Sequence, residues 1–315
     1  MDILILTQKE VQDLLDLDEL ISALADGFKA LSAGKTVTPD RIQVSIPHAG
    51  YLMTMPAWKP ESNMTVKLVT VFHENSKLGL PGHQALICAF DPSTGSPLAL
   101  MDGTYITAMR TAACAALSAM YLARKDAWRL AIIGAGVQGQ SHLKIFPRIR
   151  NFEEIRVASL NFEDADMLAN TNAKARPVKS FEEAVQNADV VCLCTSSGTP
   201  VIQPDWISPG THITSVGYHP PGGELPVQII SRSRLVVETR RSFEPSPAGC
   251  GELAGLDPEI GTELGEILMG KRPGRQSEQE ITLFKSSGHA IEDLVAANLV
   301  YARARQQGAG FIAKL

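Results

Sequence analysis

The sequence has 315 residues, of which 44% are hydrophobic and 20% charged, and its formal net charge is -5. This length exceeds what a single hydrophobic core usually organises, so we expect two domains. Lys and Arg are scattered singly along the chain, which argues against nucleic acid and anionic membranes as partners.

The first hundred residues predict two helices followed by an antiparallel sheet. Thr7 and Glu10 form a capping-box signature, and apolar residues recur at helical spacing from Leu17 until Gly34. From Arg41 the apolar period changes to two, as in a strand. Further strands are predicted at residues 51–55, 65–72, 83–91 and 98–101, the last two joined by the turn-forming segment DPSTGSP.

After Tyr105 the pattern is typical of a doubly wound α/β domain. An Ala-rich helix up to Ala123 is followed by strands that alternate with helices at βαβ spacing. The strands are predicted at residues 130–133, 157–160, 190–195, 213–216 and 235–238. We therefore expect a parallel sheet with helices on both faces, and a last helix from Ala290 to Gln306.

The most specific local motif is a glycine-rich loop between a predicted strand and a predicted helix. It reads GAGVQG and places Gly134, Gly136 and Gly139 in the GxGxxG pattern. In dinucleotide-binding domains the first glycine allows a tight turn, the second lets the backbone approach the pyrophosphate, and the third lets helix and strand pack closely. The pyrophosphate then lies at the helix N-terminus. The motif predicts binding of NAD or NADP.

The end of the second strand of this domain influences which nucleotide is bound. NAD-binding domains place an Asp or Glu there, and NADP-binding domains have an Arg nearby, but this chain reads Ala158, Ser159, Leu160, Asn161. Ser159 and Asn161 can donate hydrogen bonds, and no carboxylate repels a phosphate. The segment therefore favours NADP(H) slightly, and NAD(H) stays open.

Four separated motifs together resemble those of the ornithine cyclodeaminase/mu-crystallin family. They are Lys67, RTAACAAL, the glycine loop and FKSSGHAIEDL, and the likeness extends from about Thr38 to the last helix. It implies a Rossmann domain at residues 113–285 and an α+β domain, with a largely antiparallel sheet, made of residues 1–112 and 286–315. The second of these would bind substrate and form a homodimer. Family members include ornithine cyclodeaminases, alanine dehydrogenases, ketimine and pyrroline-carboxylate reductases, and mu-crystallins that bind thyroid hormone.

The resemblance implies that Arg41, Lys67 and Arg110 bind a substrate carboxylate, with Ser287 bordering the substrate. Two of these cations stand at unusual places, because Lys67 interrupts an apolar strand and Arg110 an Ala-rich helix. Cations from separate segments can clamp one carboxylate, and Arg adds a planar bidentate fork. Lys67 and Arg110 are therefore candidate catalytic residues, and Lys67 can polarise or protonate an imine nitrogen.

The resemblance also assigns cofactor contacts outside the glycine loop. The predicted cofactor-binding set is Thr111, Gly134, Gly136, Val137, Gln138, Gly139, Ser159, Thr195, Val216, Gly217 and Ser286.

Two departures from the cyclodeaminase pattern concern the substrate. His219 takes the place of the cyclodeaminase aspartate in the loop after Gly217, and no acidic residue precedes Met55-Pro56. Burying a second, cationic amine without a counter-charge is costly, which disfavours ornithine. His219 is a candidate acid or base, since histidine titrates near neutral pH. The alternative is an exposed loop histidine.

We therefore predict an NAD(P)H-dependent reductase or dehydrogenase of a small α-imino or α-amino acid, such as pyrroline-2-carboxylate or alanine. The alternatives are an ornithine cyclodeaminase, which recycles NAD and releases ammonia, and a mu-crystallin-like protein that binds a ligand without turnover. The short apolar stretch from Ile3 to Leu6 lacks the features of a signal peptide, which predicts a cytoplasmic protein. The Cys and His residues have no metal-ligand spacing, so no metal is expected.

Overall fold

The computed structural model of the protein describes residues 2–217, 219 and 222–314, which form two compact units. The first unit contains the described residues up to Arg110 and from His289 onward, and the second is Thr111–Gly288. The domain boundaries predicted from the sequence, at 112/113 and 285/286, lie near these divisions. The substrate-binding and cofactor-binding roles of the two units stay predictions.

The two units contain the following strands and helices. The strands are β1 (Asp2–Leu6), β2 (Ile42–Ile46), β3 (Gly50–Ala57), β4 (Met64–Val71), β5 (His83–Phe90), β6 (Pro97–Asp102), β7 (Arg129–Ile133), β8 (Glu154–Ala158), β9 (Ala175–Pro177), β10 (Val190–Leu193), β11 (His212–Ser215), β12 (Arg234–Val237), β13 (Gly261–Glu263), β14 (Thr282–Lys285) and β15 (Phe311–Lys314). The α-helices are α1 (Gln8–Leu14), α2 (Leu17–Ser32), α3 (Thr104–Leu122), α4 (Val137–Ile149), α5 (Phe162–Ala169), α6 (Phe181–Val185), α7 (Val227–Arg232), α8 (Leu264–Leu268) and α9 (Ala290–Gln307). Short 3-10 helices lie at His73–Leu78, Pro204–Trp206, Arg240–Phe243 and Pro258–Ile260.

The first unit is a seven-stranded sheet with helices packed on one face. Its strand order is β15-β1-β6-β5-β4-β3-β2, and neighbouring strands are antiparallel except β1 and β6. Alternate residues of β4, from Thr65 to Val71, are buried on one face, which we call the inner face. Helix α9 packs against β3, β4 and β5, and α2 packs against α9. A Cβ on Gly27 of α2 would lie 2.9 Å from a methyl group of Val295, so the two helices approach closely.

The second unit is an eight-stranded sheet of the doubly wound type. Its strand order is β13-β12-β14-β11-β10-β7-β8-β9, and every pair of neighbours is parallel. From β7 the chain moves to one side through β8 and β9, then returns to β10 and continues to β11 on the other side. Such a reversal is where these sheets bind their ligands, at the carboxyl ends of the strands. The fold class predicted from the sequence is confirmed.

Within the part of the chain that the structure describes, we find no helix that is both long and apolar enough to cross a membrane.

Candidate functional site

The glycine loop of the second unit joins β7 to α4, and its three glycines have different neighbours. Gly134 has a φ of +105°, and a Cβ there would lie 2.6 Å from the backbone oxygen of Cys194. A Cβ on Gly139 would lie 2.0 Å from the backbone oxygen of Gly134. The protein's own backbone therefore requires both glycines.

Gly136 differs from the other two, because a Cβ on it would meet no protein atom within 4 Å. It is the N-cap of α4, and no side chain caps the helix there. The amides of Val137, Gln138 and Gly139 form the first turn, where backbone N–H groups have no intrahelical acceptor and attract an anion. Open space above Gly136 beside these amides fits a nucleotide pyrophosphate.

The segment after β8 differs from the sequence-based prediction. The strand was predicted to continue to Leu160, but it ends at Ala158. Asn161 caps α5, its side chain accepting a hydrogen bond from the amide of Glu163 at 3.2 Å, and this turns the chain out of the sheet. Ser159 is half-buried just past the strand, and Leu160 is 96% exposed.

Two buried carboxylates organise the other predicted cofactor contacts. Glu224 accepts hydrogen bonds from the amide of Thr195 at 2.9 Å and from that of Gly217 at 2.7 Å. Glu238 accepts from the hydroxyl of Ser286 at 2.6 Å and from the amide of Ser287 at 3.0 Å. The structure thus joins Thr195 to Gly217, and Ser286 to Ser287, through carboxylates that the sequence did not single out.

Three further predicted residues of the second unit are Thr111, Val216 and His219. Thr111 is buried in α3, directly after Arg110 in the chain. Val216 is half-buried between β11 and Gly217. His219 is half-buried and forms an isolated bridge with Gly222, and its ring lies 2.9 Å from the position of a Cβ on Gly198.

In the first unit, Lys67 and Arg110 are brought together by two acidic residues of α9. Lys67 lies on the inner face of β4, 2% exposed, with its Nζ 2.7 Å from Asp293. Arg110 donates from Nε to Asp293 at 3.0 Å and from Nη1 to Glu292 at 2.7 Å. We call these four residues and Arg41 the charged cluster.

Helix α9 begins so that both acidic residues are held in place. His289 is the N-cap, its ring accepts from the amide of Ile291 at 3.2 Å, and its amide donates to Glu292 at 2.7 Å. Glu292 therefore caps its own helix with one oxygen and binds Arg110 with the other. Sequence reasoning missed Glu292 and Asp293, because acidic residues are ordinary in the first turn of a helix.

Burial and charge together set the titration of the cluster. Burial lowers the pKa of Lys67 to about 8; Asp293 opposes this, and the charges of Arg110 and Arg41 add to it. The pKa of Asp293 is lowered, because Arg110 and Lys67 outweigh the effect of burial. Half-buried Arg41 precedes β2, and its charge is one of those that lower the pKa of Lys67. A lysine with a pKa of about 8 can give up and regain a proton near neutral pH.

Comparison with known proteins identifies the family and supports the fold. The sequence profile of the ornithine cyclodeaminase/mu-crystallin family matches residues 1–308. The chain belongs to this family. The mouse ketimine reductase mu-crystallin is 38% identical over 305 residues, covering 94% of this chain and 96% of the mouse protein.

Two solved structures of family members superpose along nearly the whole chain. One is the Δ1-pyrroline-2-carboxylate reductase of Thermococcus litoralis in complex with NADH and L-proline, with a TM-score of 0.93, 36% identity, and coverage of 98% of this chain and 99% of that one. The other is an archaeal alanine dehydrogenase dimer with bound NAD, with a TM-score of 0.90, 32% identity and full coverage of both chains.

Proposed function

We propose that this chain reduces the C=N bond of a small α-imino acid that carries one carboxylate, such as Δ1-pyrroline-2-carboxylate, with NADPH or NADH. The observation that carries the proposal is the charged cluster, in which Lys67 and Arg110 are buried against two carboxylates and the charge of Arg41 acts on Lys67. Cations from separate segments can together bind one carboxylate, and Arg adds a planar bidentate fork. In terms of enzyme class, the chain is an NAD(P)-dependent oxidoreductase of imino or amino acids.

The cofactor would be held by the glycine loop and the first turn of α4, with Thr195, Gly217 and Ser286 at the carboxyl ends of β10, β11 and β14. When bound, the nicotinamide supplies the hydride. Residues 159–161 include no carboxylate to repel a 2′-phosphate, so we expect NADPH to be the better donor.

The residues of the cluster would divide the work on the substrate. Arg110 and Arg41 bind the carboxylate, and Arg110 keeps its orientation through its bonds to Glu292 and Asp293. The ammonium of Lys67 donates a proton to the imine nitrogen and becomes a neutral amine. Solvent then reprotonates this amine. The C=N carbon gains a hydride and the nitrogen gains a proton, so the product is the amino acid.

A substrate panel tests this function directly. Purified protein is mixed with NADPH or NADH and with pyrroline-2-carboxylate, pyruvate plus ammonia, or ornithine. We expect nucleotide oxidation with the cyclic imino acid and formation of proline. Ammonia release from ornithine without net nucleotide oxidation would instead identify a cyclodeaminase. Binding without turnover of any of these acids would identify a ligand-binding protein.

We also propose that the protein is a homodimer formed through the first unit. The face of its sheet opposite the inner face, which we call the outer face, carries apolar side chains in place of polar ones. Ile42, Val44 and Ile46 of β2 are 67%, 56% and 51% exposed. Leu52 of β3 and Leu86 of β5 are exposed as well. Contiguous apolar surface of this kind marks a protein interface, and a second copy of the same face is the simplest partner.

A further inference from the structure

The buried charges at the carboxyl edge of the second unit's sheet have no role in the proton or hydride transfer described above. We propose that Glu224 and Lys285 are positioning residues for the nicotinamide half of the cofactor, because they fix the backbone at Thr195 and Gly217. The inference rests on the nucleotide binding in the proposed function, and not on the identity of the substrate.

Glu224 is completely buried and receives four hydrogen bonds. One carboxylate oxygen accepts from the amide of Thr195 at 2.9 Å and from its hydroxyl at 2.7 Å. The other accepts from the hydroxyl of Ser215 at 2.8 Å and from the amide of Gly217 at 2.7 Å. Four donors fill the acceptor sites of a carboxylate, so one side chain ties the end of β10 to the end of β11.

Lys285, at the end of β14, binds the same turn with a positive charge, where Glu224 binds it with a negative one. Its Nζ donates to the carbonyl oxygen of Gly217 at 2.9 Å and to the hydroxyl of Ser215 at 3.1 Å, and it is paired with Glu252. Burial alone lowers the pKa of Lys285, but the charges of Glu252 and Glu224 outweigh it and raise the pKa, so the ammonium stays charged.

Both backbone polar groups of Gly217, its N–H and its C=O, are therefore hydrogen-bonded to buried charged side chains. Its N–H faces a buried anion and its C=O faces a buried cation, which fixes the orientation of the Gly217 backbone. A Cβ at this position would lie 2.4 Å from the backbone oxygen of Thr195 and 2.5 Å from the carboxyl carbon of Glu224. The two strand ends are consequently in direct contact, and each is held by charge-assisted bonds.

The strand order indicates which part of the nucleotide these ends serve. A doubly wound sheet consists of two mononucleotide-binding halves on either side of the chain reversal. The glycine loop follows β7 in the first half, with β8 and β9, whereas β10, β11 and β14 form the second. Thr195, Gly217 and Lys285 end or follow the strands of the second half, so they serve the nicotinamide mononucleotide and not the adenosine.

The variant Glu224→Gln tests the role of the carboxylate. An amide of the same shape presents an NH₂ group to donors that the carboxylate accepted, so the turn should lose its fixed orientation. We expect the Kd for NADPH or NADH, followed by nucleotide fluorescence, to rise by at least about tenfold. The Kd for AMP or 2′,5′-ADP, measured by calorimetry, should change less than about twofold, since these probes occupy only the adenosine half.

A second variant, Ser215→Ala, removes a hydroxyl that binds both charges and leaves no charge without a partner. It should weaken dinucleotide binding in the same direction by about threefold, and it provides the test if Glu224→Gln does not fold.

The matched control is Asp189→Asn, at the amino edge of the same sheet. Asp189 is also a buried carboxylate that accepts from backbone amides, those of Trp128 and Arg129, each at 2.9 Å. This variant should lower the Tm but leave dinucleotide affinity unchanged. The proposal is overturned if folded Glu224→Gln and Ser215→Ala bind the dinucleotide with the wild-type Kd. It is also overturned if Glu224→Gln raises the Kd for AMP as much as the Kd for NADPH. Failure of the wild type to reduce imino acids would contradict the proposed function and leave this result intact.

Discussion

Lys67 has apolar cross-strand neighbours, Met55 and Ile87, and contacts Asp293 on the inner face. The groups that act on its charge are Asp293 from α9, Arg110 from α3 and Arg41 from the segment before β2. Because its pKa is about 8, the ammonium loses its proton as the pH rises through that value. In the proposed function, reduction requires the protonated form of Lys67, so kcat/KM should fall on the alkaline side.

We therefore predict an alkaline limb in the pH profile of kcat/KM, with a midpoint near 8 and a slope of about tenfold per pH unit. The measurement is initial rates of imino-acid reduction between neutral pH and the stability limit of the fold. Lys67→Met should lower kcat/KM by about 10²–10⁴-fold and abolish the limb. An unchanged limb in that variant would assign it to another group.

The open space at Gly136 leads to a prediction that separates cofactor binding from folding. Gly136→Val should be tolerated by the fold, because no protein atom lies within 4 Å of its Cβ position, yet it should prevent dinucleotide binding. Gly139→Ala is the matched variant. Its Cβ would lie 2.0 Å from the backbone oxygen of Gly134, so this substitution should lower the Tm. Thermal melts and nucleotide titrations measure both effects. Wild-type nucleotide affinity in folded Gly136→Val would show that the pyrophosphate binds elsewhere.

Arg110 has to satisfy two acidic residues and, in our proposal, a substrate. Arg110→Met would leave Glu292 and Asp293 buried with a missing cation, which destabilises by about 3–5 kcal/mol. Arg110→Lys keeps the charge but not the planar fork, so it should fold and still lose about 10²-fold or more in kcat/KM. Nucleotide Kd should stay near the wild-type value in Arg110→Lys. A folded Arg110→Lys enzyme with wild-type kcat/KM would remove Arg110 from the substrate-binding residues.

Charged residues that interrupt an apolar strand or helix can be recognised in the sequence as candidate site residues. The family resemblance assigned Lys67 and Arg110 to the site, their interruption of apolar elements supported this, and both are buried in the charged cluster. Glu292 and Asp293 do not interrupt the apolar stripe of α9, because they lie between Ile291 and Leu294 in the first turn of the helix. Glu224 and Glu238 give no such signal, because they follow loops and strand ends where acidic residues are ordinary.

At the scale of elements, helix α9 supplies both carboxylates of the charged cluster, and they have separate partners. Asp293 contacts Lys67 and Arg110, whereas Glu292 binds Arg110 and caps the helix. Asp293→Asn removes the charge that raises the pKa of Lys67, so the alkaline limb should move to lower pH. The measurement is again the pH profile of kcat/KM.

Glu292→Gln is the control for this prediction, because a Gln still supplies the capping oxygen. It should raise KM through Arg110 and move the alkaline limb much less than Asp293→Asn does. Equal displacement of the limb by both variants would mean that the charge of the helix end acts as a whole, and Asp293 would lose its specific link to Lys67.

Element boundaries were predictable where a local signal exists. The periodic pattern predicts the last helix from Ala290, where α9 begins, and the capping box at Thr7 is present. Strands β1 and β15 were missed, because they are short and pair across almost the whole chain. β14 was missed because its short apolar stretch lies between polar segments. Such strands depend on nonlocal pairing that a local pattern does not contain.

At the scale of the whole molecule, the sheet of the first unit has two apolar faces. Helix α9 covers the inner face, and the amphipathic helix α2 packs against α9. An antiparallel sheet with one solvated face normally has polar residues there, but the outer face carries Val44 opposite Leu52 and Leu68 opposite Leu86. The alternating apolar pattern of β2 predicts the strand correctly but does not indicate that its side chains stay exposed on this surface.

We predict that a charge on the outer face prevents association and leaves the fold of the chain intact. Val44→Lys should convert a particle of twice the chain mass into one of a single chain mass, measured by light scattering after gel filtration, because burying an unpaired ammonium in an apolar interface is costly. Val44 is 56% exposed, so its substitution should barely change the Tm of the isolated chain. Met167→Lys on α5 of the second unit is the control, since Met167 is 64% exposed and lies outside the outer face. A Val44→Lys protein that remains at twice the chain mass would exclude the outer face as the interface, and a wild type of single chain mass would exclude the homodimer itself.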